Sequence, residues 1–207
     1  MTIEQLLPME IEHRSFEIIE SELPHPLDEK LAPIIKRVIH TTADFDYADT
    51  LRFSQNVLTA AKSALESGQR IITDTNMAHS GINREALDKL QTEVICFMAD
   101  TDIARMAQEQ GITRAQAAMD KAALFGGQPI IAIGNAPTAL IRLHELILAG
   151  RINPSLIIGV PVGFVNVVQA KELIMQSGVP YIVAVGRKGG SNVAAAIVNA
   201  LMYMLTR

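Results

Sequence analysis

Tyr181-Ile-Val-Ala-Val-Gly-Arg-Lys-Gly-Gly-Ser-Asn192 decides the fold. Its first five residues form an apolar run rich in branched side chains, which reads as a buried strand. The run ends in a loop of three glycines and two cations, and a helical pattern begins at Ser191. The same order of apolar run, Gly/Asn/Thr/Pro loop and helix occurs at residues 70–73, 93–98, 129–133 and 156–160. Strands alternating with helices imply a parallel sheet. The predicted fold class is α/β: a three-layer sandwich with a mainly parallel five-stranded sheet, plus N-terminal helices. In such sheets ligands bind beyond the carboxyl ends of the strands. Every unusual loop here follows a strand, so the pattern is built around one ligand.

Working outward, residues 9–22 and 28–41 read as helices divided by Pro24 and Pro26. In the second, Leu31, Ile34, Ile35, Val38 and Ile39 fall roughly on one face. Pro33 lies in its first turn, where proline is tolerated. Residues 42–53, with aspartates at 44, 46 and 49, read as a loop or a short edge strand. Ser54 is the expected N-cap of a helix to Ser67, stopped by Gly68. Further helices are expected over 83–91, from Asp100-Thr-Asp102 to near Gly111, and from Thr113 to Gly126. Asn135 is expected to cap a helix over 136–149 with Pro137 in its first turn. Helices over 166–177 and 191–205 complete the set. No repeat or low-complexity linker divides the chain, so residues 1–207 read as a single domain.

Hydrophobic residues make up 49% and charged residues 19%, enough for a sizeable core. A net charge of −4 argues against a nucleic-acid partner. Trp is absent and aromatics are scarce, which removes a stacking platform for single strands. Cys96 is alone in the chain, lies in a predicted strand and reads as a buried apolar side chain, which fits a reducing cytoplasm. Met1-Thr-Ile-Glu-Gln5 has no basic-then-apolar leader. Two stretches, 152–170 and 189–206, carry no charge. Prolines and glycines break the first. The second is nearly long enough to span a bilayer, yet it holds Gly189, Gly190, Ser191, Asn192 and Asn199. It reads as a helix buried in the protein or in a subunit interface, with no membrane partner.

The loops carry the chemistry. Gly186, Gly189 and Gly190 let the backbone approach a ligand. The helix start that follows offers free N–H groups to an anion, and Arg187 and Lys188 add positive charge. A carboxylate or phosphate fits, and the plain alternative is a tight turn whose cations face water. The loop is neither G-x-G-x-x-G nor a Walker loop. Gly134-Asn-Ala-Pro-Thr138 repeats the logic, with Gly134, Asn135 and Thr138 facing a ligand or Asn135 only capping a helix. Gly159-Val-Pro-Val-Gly-Phe164 has no polar side chain, so Gly159 and Gly163 can offer only backbone groups within an apolar wall. After the first core strand, Thr75 and Asn76 are candidates for ligand hydrogen bonds. His79 lacks a second His or Cys at ligand spacing, so no metal site is predicted. His40 ends an apolar helix just before Thr41-Thr42. A histidine exchanges protons near neutral pH, although one at a helix end can simply complement the dipole. His13, His25 and His144 carry less signal. No Ser-His-Asp set and no carboxylate pair is evident.

Together these segments resemble the precorrin-8X methylmutases (precorrin isomerases) of cobalamin biosynthesis, including the cobalt-precorrin-8 methylmutases. The resemblance rests on Ser15-Phe16, Val38-Ile-His-Thr41, Asp74-Thr-Asn-Met77 through Gly81-Ile82, and Thr113-Arg114 with Asp120. It rests also on Ile133-Gly-Asn-Ala-Pro-Thr-Ala-Leu140, Gly159-Val-Pro-Val-Gly-Phe-Val165 and Gly186-Arg-Lys-Gly-Gly-Ser191. It implies an isomerase that moves a methyl group from C11 to C12 of the corrinoid ring in a 1,5-sigmatropic shift. The product implied is hydrogenobyrinate, or cobyrinate when cobalt is already in the ring. It implies no cofactor, and a homodimer with its substrate near the interface. His40 matches the family's proposed catalytic histidine, and Ser15, Thr75 and Arg114 match positions lining its site. Two other readings use the same pocket: a tetrapyrrole carrier without turnover, and a nucleotide-dependent α/β enzyme.

Overall fold

The computed structural model describes residues 7–207, so the opening stretch, residues 1–5, read above for a leader lies outside the described residues. The sheet contains β1 (Leu51–Phe53), β2 (Ile71–Thr73), β3 (Val94–Cys96), β4 (Ile130–Ile133), β5 (Leu156–Gly159) and β6 (Tyr181–Ala184). Their spatial order is β1-β6-β5-β4-β2-β3, with β1 antiparallel to β6 and all other pairs parallel. The sheet thus has six strands rather than the five expected. Leu51-Arg-Phe is too short for alternation to register in the sequence, yet Leu51 pairs opposite Ala184.

The strands show why the sequence reads as continuous apolar runs: both faces are covered. Ile71, Ile130, Ala132, Leu156, Ile158, Ile182 and Ala184 pack into one core. The alternate residues Ile72, Ile131, Ile133, Ile157 and Val183 pack into the other, as the two-residue period of a strand requires. The first core is roofed by α1 (Pro8–Glu22), α2 (Ala32–Thr42), α3 (Tyr47–Thr50), α4 (Val57–Glu66), α5 (Asn76–Gly81), α6 (Arg84–Lys89) and α11 (Ser191–Thr206). The second lies under α7 (Thr101–Gln110), α8 (Arg114–Leu124), α9 (Pro137–Leu148) and α10 (Val167–Met175). The charge-free C-terminal stretch is α11, apolar all round because it is wrapped by α2, α4, α5 and α6. Among the described residues no helix is long and apolar enough to cross a membrane.

Thr113 caps α8 as expected, in a capping box with Gln116. Three other caps differ. Ser54 Oγ accepts from the Tyr181 N–H and so ties the end of β1 to β6, and α4 begins later, after Asn56. Asp100 binds Lys121 instead of its own helix. Asn135 does not cap α9: the N-cap position is Ala136, with no side-chain cap, and the Asn135 N–H is held by the Asp74 carboxylate just past β2. Residues 76–81, read as part of a loop, form the single-turn helix α5.

Candidate active site

The strand order reverses between β2 and β4, and the loops leaving these two strands diverge there. Asp74, the first residue past β2, spans the gap. Its Oδ1 accepts from Gly134 N–H and its Oδ2 from the N–H groups of Asn135 and Ala136, each at 2.8 Å. Burial pushes this carboxyl up from its ordinary value, and the three N–H groups oppose the shift. The anion seat expected at Gly134 and Asn135 is therefore filled by the protein itself, leaving the exposed Asn135 side chain outside. Thr75 is likewise engaged. It caps α5 through Ala78 N–H, and its hydroxyl lies 2.8 Å from Ser191 Oγ at the start of α11. Gly134 is pressed against the same turn, where a Cβ would come within 2.6 Å of Ser191 Cα.

With that crevice closed, the open space lies to one side, between α2, α5 and α11. A surface groove of about 250 Å³ is lined there by Arg37, His40, Thr41, Gly81, Asn192 and Tyr203, among others. His40 sits exposed in the last turn of α2, stacked on Phe16 of α1 with ring centroids 5.3 Å apart. Arg37 joins this small cluster, 4.7 Å from the Phe16 ring centre and 5.2 Å from that of Tyr203, and it pairs with Glu12. Burial works against the Glu12 charge, but Arg37 and Arg207 hold its carboxyl below the usual range. Ser15 is next to Phe16, and its hydroxyl donates back to Ile11 C=O.

The glycine-rich loop after β6 leads into α11, whose Asn192 lines the groove. Lys188 Nζ binds Asp44 and Asp46, just past the end of α2, and the pair raises the ammonium above its ordinary value. Arg187 keeps its guanidinium exposed, 5.5 Å from the Phe164 ring centre. Gly190 N–H donates to Val160 C=O, and Gly163 N–H to Arg187 C=O, so the loops after β5 and β6 are stitched together. At Gly189 a Cβ would fall 2.1 Å from the Val160 oxygen, so only glycine fits. Beneath the loop lies Lys171 of α10, 1% exposed, donating to Gly186 C=O at 2.8 Å and Lys188 C=O at 2.9 Å. Burial lowers its amine to about 8. Gly159 is the buried last residue of β5, packed against Leu140 and Val183. Arg114 is exposed on the far layer, at the start of α8, which is joined to α9 through Thr113 and Thr138 at 3.0 Å.

A family model described as precorrin-8X methylmutase matches residues 10–204. The chain belongs to the precorrin-8X methylmutase family. It is 47% identical to the cobalt-precorrin-8 methylmutase of Salmonella typhimurium over 96% of both chains. It is 40% identical to the precorrin-8X methylmutase of Pseudomonas aeruginosa, over 92% of this chain and 93% of that one. The crystal structure of precorrin-8x methyl mutase from Thermus thermophilus superposes with a TM-score of 0.85 at 40% identity, covering 94% of this chain and 96% of that one. As a methylmutase family member, the chain is an isomerase of cobalamin biosynthesis.

Within this methylmutase fold, three residues that sequence reasoning passed over shape the site. Asp74 orders two loops, and its signal was a lone carboxylate directly after a core strand. Lys171 occupies a position on the apolar stripe of Val167, Ala170 and Ile174. Asn192 opens an otherwise apolar helix and turns into the groove beside His40.

Proposed function

We propose that this chain moves the methyl group from C11 to C12 of precorrin-8X, or of its cobalt-bearing counterpart, giving hydrogenobyrinate or cobyrinate. The observation that carries the reading is His40, held by Phe16 at the mouth of the groove between α2 and α11. The reaction is intramolecular, so the protein's task is to hold one ring conformation and to place charge. Its substrate is a broad macrocycle with acetate and propionate arms. Exposed Met77 on α5 and Val162, Phe164 and Val165 in the loop after β5 supply apolar surface for the ring. Arg187, with Lys188 in its carboxylate pair, supplies positive charge for the arms.

His40 places a proton at a ring nitrogen and draws electron density from the migrating centre. Proton placement of this kind contributes roughly 100-fold or more in rate. The groove is small for the whole macrocycle, which supports a homodimer in which a second subunit covers the ring. We place the enzyme in the cytoplasm, in keeping with its single free cysteine.

The test is to incubate the purified protein with precorrin-8X, then with cobalt-precorrin-8, and to follow the absorption spectrum. Conversion to the product spectrum, abolished in a folded His40→Ala variant, is the expected result. Full turnover by His40→Ala would remove His40 from the mechanism. Tight binding of both corrinoids without conversion would replace the enzyme by a carrier.

A further inference from the structure

Lys171 is a buried cation with no carboxylate beside it. The residue is 1% exposed, and its ammonium donates to two carbonyl oxygens, those of Gly186 and Lys188. Among the described residues no acidic side chain forms an ion pair with it. Buried charges are ordinarily compensated, so the missing anion is a question about what binds above the loop.

The peptide geometry answers it. In a trans peptide the C=O of one residue and the N–H of the next point in opposite directions, and among the described residues no peptide is cis. With Gly186 C=O and Lys188 C=O drawn inward by Lys171, the N–H groups of Arg187 and Gly189 are turned outward. Neither has an acceptor among the described residues, whereas the next N–H, of Gly190, is bound to Val160 C=O. Gly186 and Arg187 are exposed, and Gly189 has no side chain to cover its N–H.

We propose that Lys171 is a positioning residue that turns the Arg187 and Gly189 N–H groups outward into a two-donor seat for one carboxylate arm of the substrate. Its uncompensated charge lies under that seat and is completed by the bound carboxylate. The exposed Arg187 guanidinium stands at the same loop. This inference rests on the corrinoid reading above and adds to it the place where one arm binds.

The test compares wild type with Lys171→Met and Lys171→Arg. Hydrogenobyrinate and its fully amidated form, which keeps the ring but lacks the carboxylates, are titrated by absorbance. Wild type should prefer the acid, and Lys171→Met should lose roughly 10- to 100-fold of that preference, the scale of a charge-assisted contact. KM should rise while kcat stays within about threefold, and Lys171→Arg should recover most of the preference. A general loosening of the fold would weaken both ligands alike, so an unchanged preference overturns the proposal. A second readout needs no variant. Adding hydrogenobyrinate to the wild type should shift the Arg187 and Gly189 amide protons downfield, and unmoved resonances overturn the proposal whatever the variants do. If the wild type binds no corrinoid, the corrinoid reading has failed by itself. The seat is then judged by the same two amide resonances with citrate as the probe, where movement supports it and silence rejects it.

Discussion

Lys188 Nζ lies 2.6 Å from Asp44 Oδ2, just beyond α2, whose last turn carries His40, so the glycine-rich loop and the end of α2 are strapped together. The strap is half exposed, and exposed ion pairs contribute little to stability, about 0–1 kcal/mol. Its value is geometric. Lys188→Met should leave the unfolding midpoint nearly unchanged and lower kcat/KM roughly tenfold, the scale expected when a placed group loses its register. The Lys188 hydrogen bond holds the Asp44 carboxyl below its ordinary value. A depressed carboxylate contributes above its unfolded value and loses that contribution as pH falls through the folded one. The strap should therefore be intact at pH 5, and a wild-type kcat/KM that collapsed between pH 7 and 5 for want of it would contradict this.

Asp74→Asn removes an acceptor that three backbone donors share. The amide can still take one of them, but its NH₂ must then face donors. Unfolding free energy should fall by about 2–4 kcal/mol, the cost of leaving buried N–H groups unmatched. Urea titration checks this through a lower midpoint at an unchanged slope. A midpoint equal to wild type would mean that the turn satisfies its N–H groups some other way.

The core strands and their helices were legible because each strand is an apolar run followed by a polar or glycine-bearing loop and then a helical pattern, signals that do not depend on distant partners. β1 was legible only as one of two alternatives for residues 42–53, a loop or a short edge strand, and α5 was not, since six residues are too few for a period to show. The site was legible in its loops but not in its internal wiring. Gly134 reads as an open anion cradle until Asp74, sixty positions earlier, is seen to occupy it. Lys188 reads as a free cation until Asp44 and Asp46 fold back on it. His40 alone is only a helix-terminal histidine. Its importance came from the resemblance, and its groove came from the packing of α2 on α11.

Glycine positions offer a sharper contrast. An added Cβ at Gly134 would meet backbone atoms of Gly190 and Ser191 within 2.6–2.8 Å, and neither can move without shifting the start of α11. Gly111 has a positive φ of 64° but open space around it. Gly111→Ala should cost about 1 kcal/mol, the price of a left-handed residue. Gly134→Ala should cost several times more and should impair turnover, because α11 lines the groove. Similar thermal midpoints for the two variants would show that α11 has room to retreat.

Lys171 gives stability a distinctive pH dependence. Burial lowers its amine to about 8 from an ordinary value near 10.5. Between those values the unfolded chain holds a proton that the folded chain has released, so stability rises with pH across the window. The full rise from this group is about 3 kcal/mol. Below pH 8 both states are protonated and the contribution is flat. Cys96 works in the opposite sense from about pH 9, since burial raises its thiol and the unfolded chain ionises first. That slope is common to wild type and Lys171→Met, and it cancels in their difference. Unfolding free energies measured at pH 7.5, 9 and 10.3 should therefore show the wild type gaining on Lys171→Met as pH rises. A constant difference would mean that the Lys171 amine keeps its ordinary value in the folded protein, as a solvated or paired ammonium does, and the uncompensated charge beneath the glycine loop would have to be abandoned.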